Sequence, residues 1–541
     1  MINFIDKLKR SFQRLQLYCR LFQINRKVAA QVESEIPEKP IVFFNATARI
    51  KGLNLNAAFS MITSWGIQMT GRRVVHFSCR SGMSHCVLGA GLGDPKDPPP
   101  CQECIRDSGW FTGSAPTSWF EYHENPDLKI LLNNKSVSEL EEIKYKGRPL
   151  GRLALTSIRW ILRRHHLVDD EITRYLYGEF ILSANNIAEK FSEFIGEIDP
   201  ETVVVFNGLQ YPEAVVRWVA TQRGIRVITY EVNLQPFSAF FTDGQATEYS
   251  LNIPQSFDLS ENQNRVLDQY LRMRFKGDFK MAGIKFWSAM DQLPADFLTF
   301  ADGFEGLVPV FTNVIFDTSQ AHANTIFPHM FAWLDLIRET AEKTPKILFV
   351  IRAHPDEMRK GKSSQESVSS WADDQGLENL PNVMLIGPDD TLSSYELIQR
   401  SKFTLVYNSS IGLEATLLGA PVLCAGKARY TQYPTVFYPD SLSEYKELLT
   451  SLLVEDEIHV PDHLYKNGRR FLFYQLYRAS LPFDQFLSDF PRSGYVHLKR
   501  FSWKKLLPGN SPVVDCVVNG ILNGDEFILE TDLNPDELGV K

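Results

Sequence analysis

Two short runs in the chain carry the residue types needed to hold an anionic group. The first is Val406-Tyr407-Asn408-Ser409-Ser410-Ile411-Gly412-Leu413-Glu414-Ala415. A strand-like run ends in two hydroxyls and a glycine, and a helix-prone stretch follows. Such a turn offers free backbone N–H groups and the positive end of a helix dipole to an anion. Ser409 and Ser410 are then donors to phosphate oxygens, and Glu414, about one helical turn on, is an acceptor for ribose hydroxyls. The same spacing also fits a plain capped helix closed by Glu414. The second run, Arg352-Ala353-His354-Pro355, follows the apolar stretch Lys346 to Ile351. An imidazole and a guanidinium at one strand end both donate to a leaving phosphate, arginine in bidentate fashion.

A third constellation is Cys79, Cys86, Cys101 and Cys104, four of the seven cysteines, inside a segment rich in Gly and Pro. Two cysteines separated by two residues suit tetrahedral thiolate ligation, so a structural zinc is expected, with unligated thiols or an iron–sulfur cluster as alternatives. His76 and His85 are substitute ligands. Four protein thiolates would leave no open position for a substrate, which makes the site structural.

These residues need elements to position them, and the chain supplies a βα alternation twice. Apolar runs at Ile41 to Phe44, Val74 to Phe77, Val203 to Phe206 and Arg226 to Tyr230 read as strands, with helices near Leu55 to Trp65, Ile172 to Ile195 and Pro212 to Gln222. The rhythm restarts at Val308 to Phe311 and continues through Lys346 to Ile351, Val383 to Ile386, Phe403 to Tyr407 and Pro421 to Leu423, with helices near Phe327 to Glu342, Ser394 to Gln399 and Ile411 to Leu418. This pattern predicts an α/β protein of two Rossmann-like, doubly wound domains. Its boundaries are a basic amphipathic helix at 1–35, a first domain at 36–303 with the Cys-rich insertion at about 79–104, a second at 304–455, and a tail at 456–541 that packs back on both. In such sheets ligands sit beyond the carboxyl ends of the strands, so the Arg352 and Ser409 runs converge on one crevice. No internal repeat is present.

A chain of 541 residues exceeds what one core organises, which agrees with two domains. Its net charge of −8 argues against a long nucleic acid as partner. The first 27 residues run against that sign, with Lys7, Lys9, Arg10, Arg14, Arg20, Arg26 and Lys27 facing only Asp6. Ile5, Leu8, Phe12, Leu15, Cys19 and Phe22 recur at steps of three and four, an amphipathic stripe that either docks on the protein or lies on an anionic lipid surface. A second basic stretch, Lys144 to Arg164, is a solvated helix face or a contact for a lipid diphosphate. No apolar run is long enough to span a bilayer and the amino terminus does not read as a secretory signal, so a cytoplasmic protein at the inner face of the membrane is expected.

The pairing of Arg-Ala-His-Pro with Tyr-Asn-Ser-Ser-Ile-Gly-Leu-Glu-Ala, then Leu-Gly-Ala-Pro-Val and Tyr430, resembles the capsule polysaccharide biosynthesis proteins and related glycosyltransferases of the GT-B fold. Phe206-Asn207-Gly208, Tyr230-Glu231 and Thr312-Asn313-Val314-Ile315-Phe316-Asp317 extend the likeness in order along the chain. The resemblance implies a GT-B-like fold and a nucleotide-sugar donor held by Arg352, His354, Ser409, Ser410, Gly412 and Tyr430, with Glu414 on the ribose. A CMP-linked donor is favoured, UDP- or GDP-linked ones are the alternatives, and the acceptor is a glycan or its lipid-linked precursor. A CDP-polyol phosphotransferase, a nucleotide-sugar epimerase and a non-catalytic scaffold are competing readings. An inverting transferase needs a base for the acceptor hydroxyl, for which Glu231, Asp317 and Glu213 are the candidates, Glu231 foremost. No catalytic metal is expected, because the helix dipole, His354 and Arg352 supply the positive field.

Overall fold

The computed structural model describes residues 2–31, 38–46, 52–87, 97–276, 291–359 and 363–530, with side chains from Phe12 onward. In the first half, β1 (Ile41–Asn45), β2 (Val74–Cys79), β3 (Thr117–Phe120), β4 (Thr202–Phe206) and β5 (Arg226–Val232) form a parallel sheet in the order β3-β2-β1-β4-β5. β6 (Ser238–Thr242) adds antiparallel to β5. In the second half, β7 (Gly306–Phe311), β8 (Ile347–Arg352), β9 (Val383–Ile386), β10 (Thr404–Val406) and β11 (Val422–Cys424) are all parallel, in the order β11-β10-β7-β8-β9. Each parallel sheet therefore winds outward in both directions from its first strand. The crevices where the winding reverses, between β1 and β4 and between β7 and β10, are the ligand positions of such sheets.

Continuous apolar runs make these strands because both faces are covered. β1, β2, β4 and β8 are buried almost throughout, as a sheet with helices on both sides demands. Phe77 stacks on Phe120 and Phe194 at 4.8 and 4.7 Å between ring centroids, joining β2, β3 and the helix Glu171–Ile198 in one core. The tail then leaves the second half. Its helix Asp462–Phe473 runs into a π-helical turn, Tyr474–Arg478, and β12 (Leu481–Pro482) pairs with β6. The helix Pro512–Asn523 packs on the helix Leu55–Met69, where a Cβ on Gly66 would stand 2.6 Å from Val514 Cγ1. Only a glycine lets these two helices approach so closely.

Several elements went unread in the sequence: β3, β6, β12 and the hairpin Leu487–Asp489 with Val496–Leu498. They are two to five residues long, too short for local pattern to carry much of them. The amino-terminal helix, Ile2–Ala29, buries a different line from the expected stripe. Its buried residues are Leu21, Ile24, Asn25 and Val28, whereas Phe12, Leu15, Cys19 and Phe22 of the expected stripe are exposed. Steps averaging 3.5 drift around a helix of 3.6 residues per turn, so two apolar lines coexist and the later one docks. Ile5 and Leu8 lie outside the described side chains, and Thr47, read in the turn after the first strand, lies outside the described residues. In the basic stretch, Lys146 pairs with Glu189 at 3.0 Å and Arg152 with Glu141 at 2.5 Å, so these cations serve the first half's own carboxylates.

Candidate functional site

A cavity of about 260 Å³ opens between the two halves. Its second-half wall comes from the loops after β7, β8, β10 and β11: Asn313, Asp317, Ser319, His322, His354, Asn408, Ser409, Ser410, Leu413, Glu414 and Lys427 to Tyr430. It therefore lies at the β7/β10 reversal, where four strand ends converge. The first half contributes Val232, Asn233, Leu234, Thr247, Glu248, Tyr270 and Arg274, and the tail adds Leu472 and Gln475.

The turn after β10 is fixed from several sides. Asn408 N–H donates to Asn313 Oδ1 at 3.3 Å, and Gln320 Nε2 donates to Asn408 Oδ1 at 3.0 Å. Tyr430 O–H donates to the Ser409 carbonyl at 2.7 Å. Gly412 is buried beneath this contact, and a Cβ there would meet Tyr430 Oη at 2.3 Å. Gly412 thus shapes the turn through close packing and is not part of the cavity wall. Ser410 stands at the start of the helix Ile411–Leu417 with helical φ and ψ, and its side chain makes no capping bond. The capped-helix reading fails on that point: Glu414 does not fold back to close a box. Among the described residues, neither the Ser409 nor the Ser410 hydroxyl has a hydrogen-bond partner.

His354 follows β8 and caps the short turn Pro355–Met358, its Nδ1 accepting from Asp356 N–H at 3.1 Å. That bond leaves Nε2 as the protonated nitrogen of a neutral ring. Burial holds the imidazole below its ordinary range, opposed by the charges of Asp356 and Asp317 and aided by Arg352. Arg352, expected beside it, is not on the wall. Alternation along β8 turns its side chain toward the loop before residue 391, where Nη2 donates to the Asp390 carbonyl at 3.0 Å.

Glu414 lines the cavity, but its carboxylate is already engaged. Arg274 Nη2 lies 2.6 Å from Oε1, and Tyr395 O–H donates to Oε2 at 2.5 Å. A ribose would share this carboxylate with a guanidinium that no local pattern foretold. Of the three carboxylates weighed as bases, only Asp317 is on the wall; its Oδ2 accepts from Ser319 N–H and Oγ at 3.3 and 2.7 Å. Glu231 turns away, accepting from Asn207 Nδ2 at 2.5 Å and from Val232 N–H at 2.8 Å. Glu213 is buried in the first turn of the helix Tyr211–Gln222.

Sequence reading missed a bridge of charges across the cavity mouth. Lys427 Nζ lies 2.9 Å from Glu248 Oε2, and His322 Nδ1 lies 3.6 Å from Glu248 Oε1. Burial raises the Glu248 carboxyl, and Lys427, His322 and Arg217 outweigh it, leaving the group below its ordinary value. Arg429 stacks 3.4 Å from the centre of the Tyr249 ring, a contact between the halves. Lys427 and Arg429 follow a strand end, a signal available in the sequence. Glu248, Arg274 and Gln475 lie in irregular or helical stretches without any motif.

Cys79 and Cys86 are buried in the core cluster of β1 and β2, whereas Cys104 packs against the opposite cluster, and Cys101 and Cys104 are half-buried on the helix Cys101–Phe111. Burial, with the neighbouring Cys104 and Cys101, pushes the Cys79 thiol up to about 12 against the hydrogen bond that it accepts from Gly82 N–H. Among the described residues, no group of three or more His, Cys, Asp or Glu is placed to hold a metal ion. His76 is buried with Nε2 3.3 Å from Ser64 Oγ, and His85 lies 3.4 Å from Glu179, so neither completes a ligand set.

No curated protein sequence matches the chain. Among solved structures, the beta Kdo 2,4 transferase KpsC of Thermosulfurimonas dismutans aligns at 11% identity over 59% of this chain and 87% of its own, with a TM-score of 0.35. UDP-GlcNAc 2-epimerase of Neisseria meningitidis aligns at 13% identity over 80% and 96%, TM-score 0.23. Sucrose-phosphate synthase of Thermosynechococcus elongatus aligns at 10% over 81% and 95%, TM-score 0.27. Residues 308–435, which supply the whole second-half wall of the cavity, match the family model described as capsule polysaccharide biosynthesis protein. The resemblance of this chain to the capsule polysaccharide biosynthesis proteins is thereby shown, on the half that carries His354 and the two serines.

Proposed function

We propose that the protein is a glycosyltransferase that moves a sugar from a nucleotide donor, CMP-linked by preference, to a cell-surface polysaccharide or its lipid-linked precursor. The observation that carries this reading is the interdomain cavity in which His354 meets the unpartnered hydroxyls of Ser409 and Ser410. As the bond from the anomeric carbon to the donor phosphate breaks, negative charge grows on the leaving phosphate. His354 Nε2–H, the two hydroxyls and the cations Lys427 and Arg429 are donors already in place for it, and preorganised donors lower the barrier without reorganising. Asp317, whose Oδ1 has no partner among the described residues, takes the proton of the acceptor hydroxyl as its oxygen bonds to the anomeric carbon. Glu248 holds Lys427 at the wall; a carboxylate held low chiefly by its bond to Lys427 is a poor base and a good anchor.

The test is thermal stabilisation of the full chain by CMP, CDP, UDP, GDP and ADP, repeated on the His354→Ala/Ser410→Ala variant. Ligands that bind only the folded state raise its stability, by roughly 2.7 kcal/mol at a hundredfold excess over Kd. Stabilisation that the variant loses supports the donor site here. No response to any nucleotide sinks the reading in favour of a scaffold.

The exposed line Phe12, Leu15 and Phe22 is assigned to the surface of an anionic bilayer. Those side chains are 61, 59 and 53% exposed, and Arg26 lies over the Phe22 ring. Arg20 reaches the Leu498 carbonyl beside a tail segment that brings exposed Lys499, Arg500, Lys504 and Lys505 near the same helix. Apolar side chains flanked by clustered cations are what an interfacial helix presents to lipid. No described helix is long and apolar enough to cross a membrane.

A further inference from the structure

The far end of the cavity carries a buried amide that the reading above does not use. Gln475 lies in the π-helical turn Tyr474–Arg478, lines the cavity and is 3% exposed, and its side-chain nitrogen has no acceptor among the described residues. Buried donors are nearly always paired, and an exception in a cavity wall marks a missing acceptor. The π-turn adds a second pointer. Such turns are strained, rare, and recur at functional sites.

The surroundings decide what acceptor fits. From Ser409 and Ser410 the wall runs along the helix Ile411–Leu417 to Leu413 and Glu414, then to Leu472 and Gln475 on the tail. The tail helix is pressed onto that helix at Gly468, where a Cβ would lie 3.3 Å from Leu413 Cδ1. A nucleotide with its phosphate at the serines therefore extends its ribose past Glu414 and its base toward Leu413, Leu472 and Gln475. Leucines offer a flat apolar bed, and a primary amide offers one donor and one acceptor side by side. That pair matches the Watson–Crick edge of a pyrimidine. The same pair fits the edge of a purine, and the amide can turn over as the base requires, so the contact reads a base edge without choosing among bases.

We propose that Gln475, carried on the tail's π-turn, reads the nucleobase edge of the donor. This rests on the donor-site reading above. The tail then has a catalytic purpose beyond strapping the halves together: it closes the nucleoside end of a site whose phosphate end belongs to residues 308–435.

The experiment is calorimetric titration of the full chain with CMP, UMP, AMP, GMP and inorganic phosphate, on the native sequence, Gln475→Leu and Gln475→Asn. Expected are a tenfold or greater loss in each variant for the nucleotide that the native chain binds best, and phosphate binding unchanged. Gln475→Asn keeps an amide but withdraws it, so it tests the same contact if the leucine variant misfolds. Variants that bind that nucleotide normally would overturn the assignment while leaving the donor site intact. Failure of every nucleotide to bind the native chain would overturn both.

Discussion

Arg274 Nη2 lies 2.6 Å from Glu414 Oε1, an ion pair in which both side chains are more than nine-tenths buried and which joins the helix Glu261–Phe275 to the helix behind the serine turn. Burial alone disfavours the guanidinium charge, and Glu414 with Tyr270 and Tyr395 more than reverses it, so the arginine stays charged. Removing one partner strands the other. Arg274→Met or Glu414→Gln is expected to cost about 3–5 kcal/mol in chemical denaturation. The double variant should cost less than the sum of the two, and additive losses would show that the residues do not act as a pair.

The packing of Gly412 under Tyr430 makes a separable prediction. Gly412→Ala forces Cβ against Tyr430 Oη and is expected to destabilise by about 1–3 kcal/mol while weakening nucleotide binding. Tyr430→Phe removes the obstructing oxygen together with its bond to Ser409, at about 1 kcal/mol. In the Tyr430→Phe background the alanine should therefore cost less than it does alone. An equal cost in both backgrounds would place the clash elsewhere, for instance at Val406.

Glu357 gives the site loop a pH dependence. Its carboxyl is buried in the turn that follows His354, accepts from Val368 N–H at 3.3 Å, and is pushed by burial up to about 8. A carboxyl raised in the fold favours the protonated state, so its contribution is full below its unfolded value of about 4.5 and is lost as pH rises toward 8. Melting temperature should fall over that window, and Glu357→Gln, which mimics the neutral form, should flatten the fall and stabilise the protein at pH 8. A variant whose melting profile keeps the native slope would discharge Glu357 from this role.

The contrast between Ser409 and Arg274 explains what was legible in the chain. Ser409, Ser410 and His354 sit directly after strands, and a strand end in a doubly wound sheet has a predictable position, so local pattern sufficed to bring them to one crevice. Arg352 ends a strand, yet one-residue alternation turns it to the other face, and the phase of that alternation is invisible in a strand buried on both sides. Arg274, Glu248 and Gln475 reach the cavity from segments whose placement depends on how the halves and the tail pack, which no window of sequence encodes. The basic helix shows the same limit, since both of its apolar lines are regular and only the tertiary partner decides which one is buried.

That helix yields the last prediction. Leu21, Ile24 and Val28 fasten it to the first half, so deleting residues 1–27 would damage the core as well as the surface; substitutions on the exposed line are the cleaner probe. The native chain should sediment with vesicles containing an anionic phospholipid and not with purely zwitterionic ones, and moderate salt should release it, because cation attraction is screened over roughly 8–10 Å at physiological ionic strength. Phe12→Glu/Leu15→Glu/Phe22→Glu should abolish binding without lowering the melting temperature, since none of the three supports the core. Retained vesicle binding would move the contact to another surface. Loss of a dimer in gel filtration, with no vesicle binding by the native chain, would assign the line to a second copy of the protein instead.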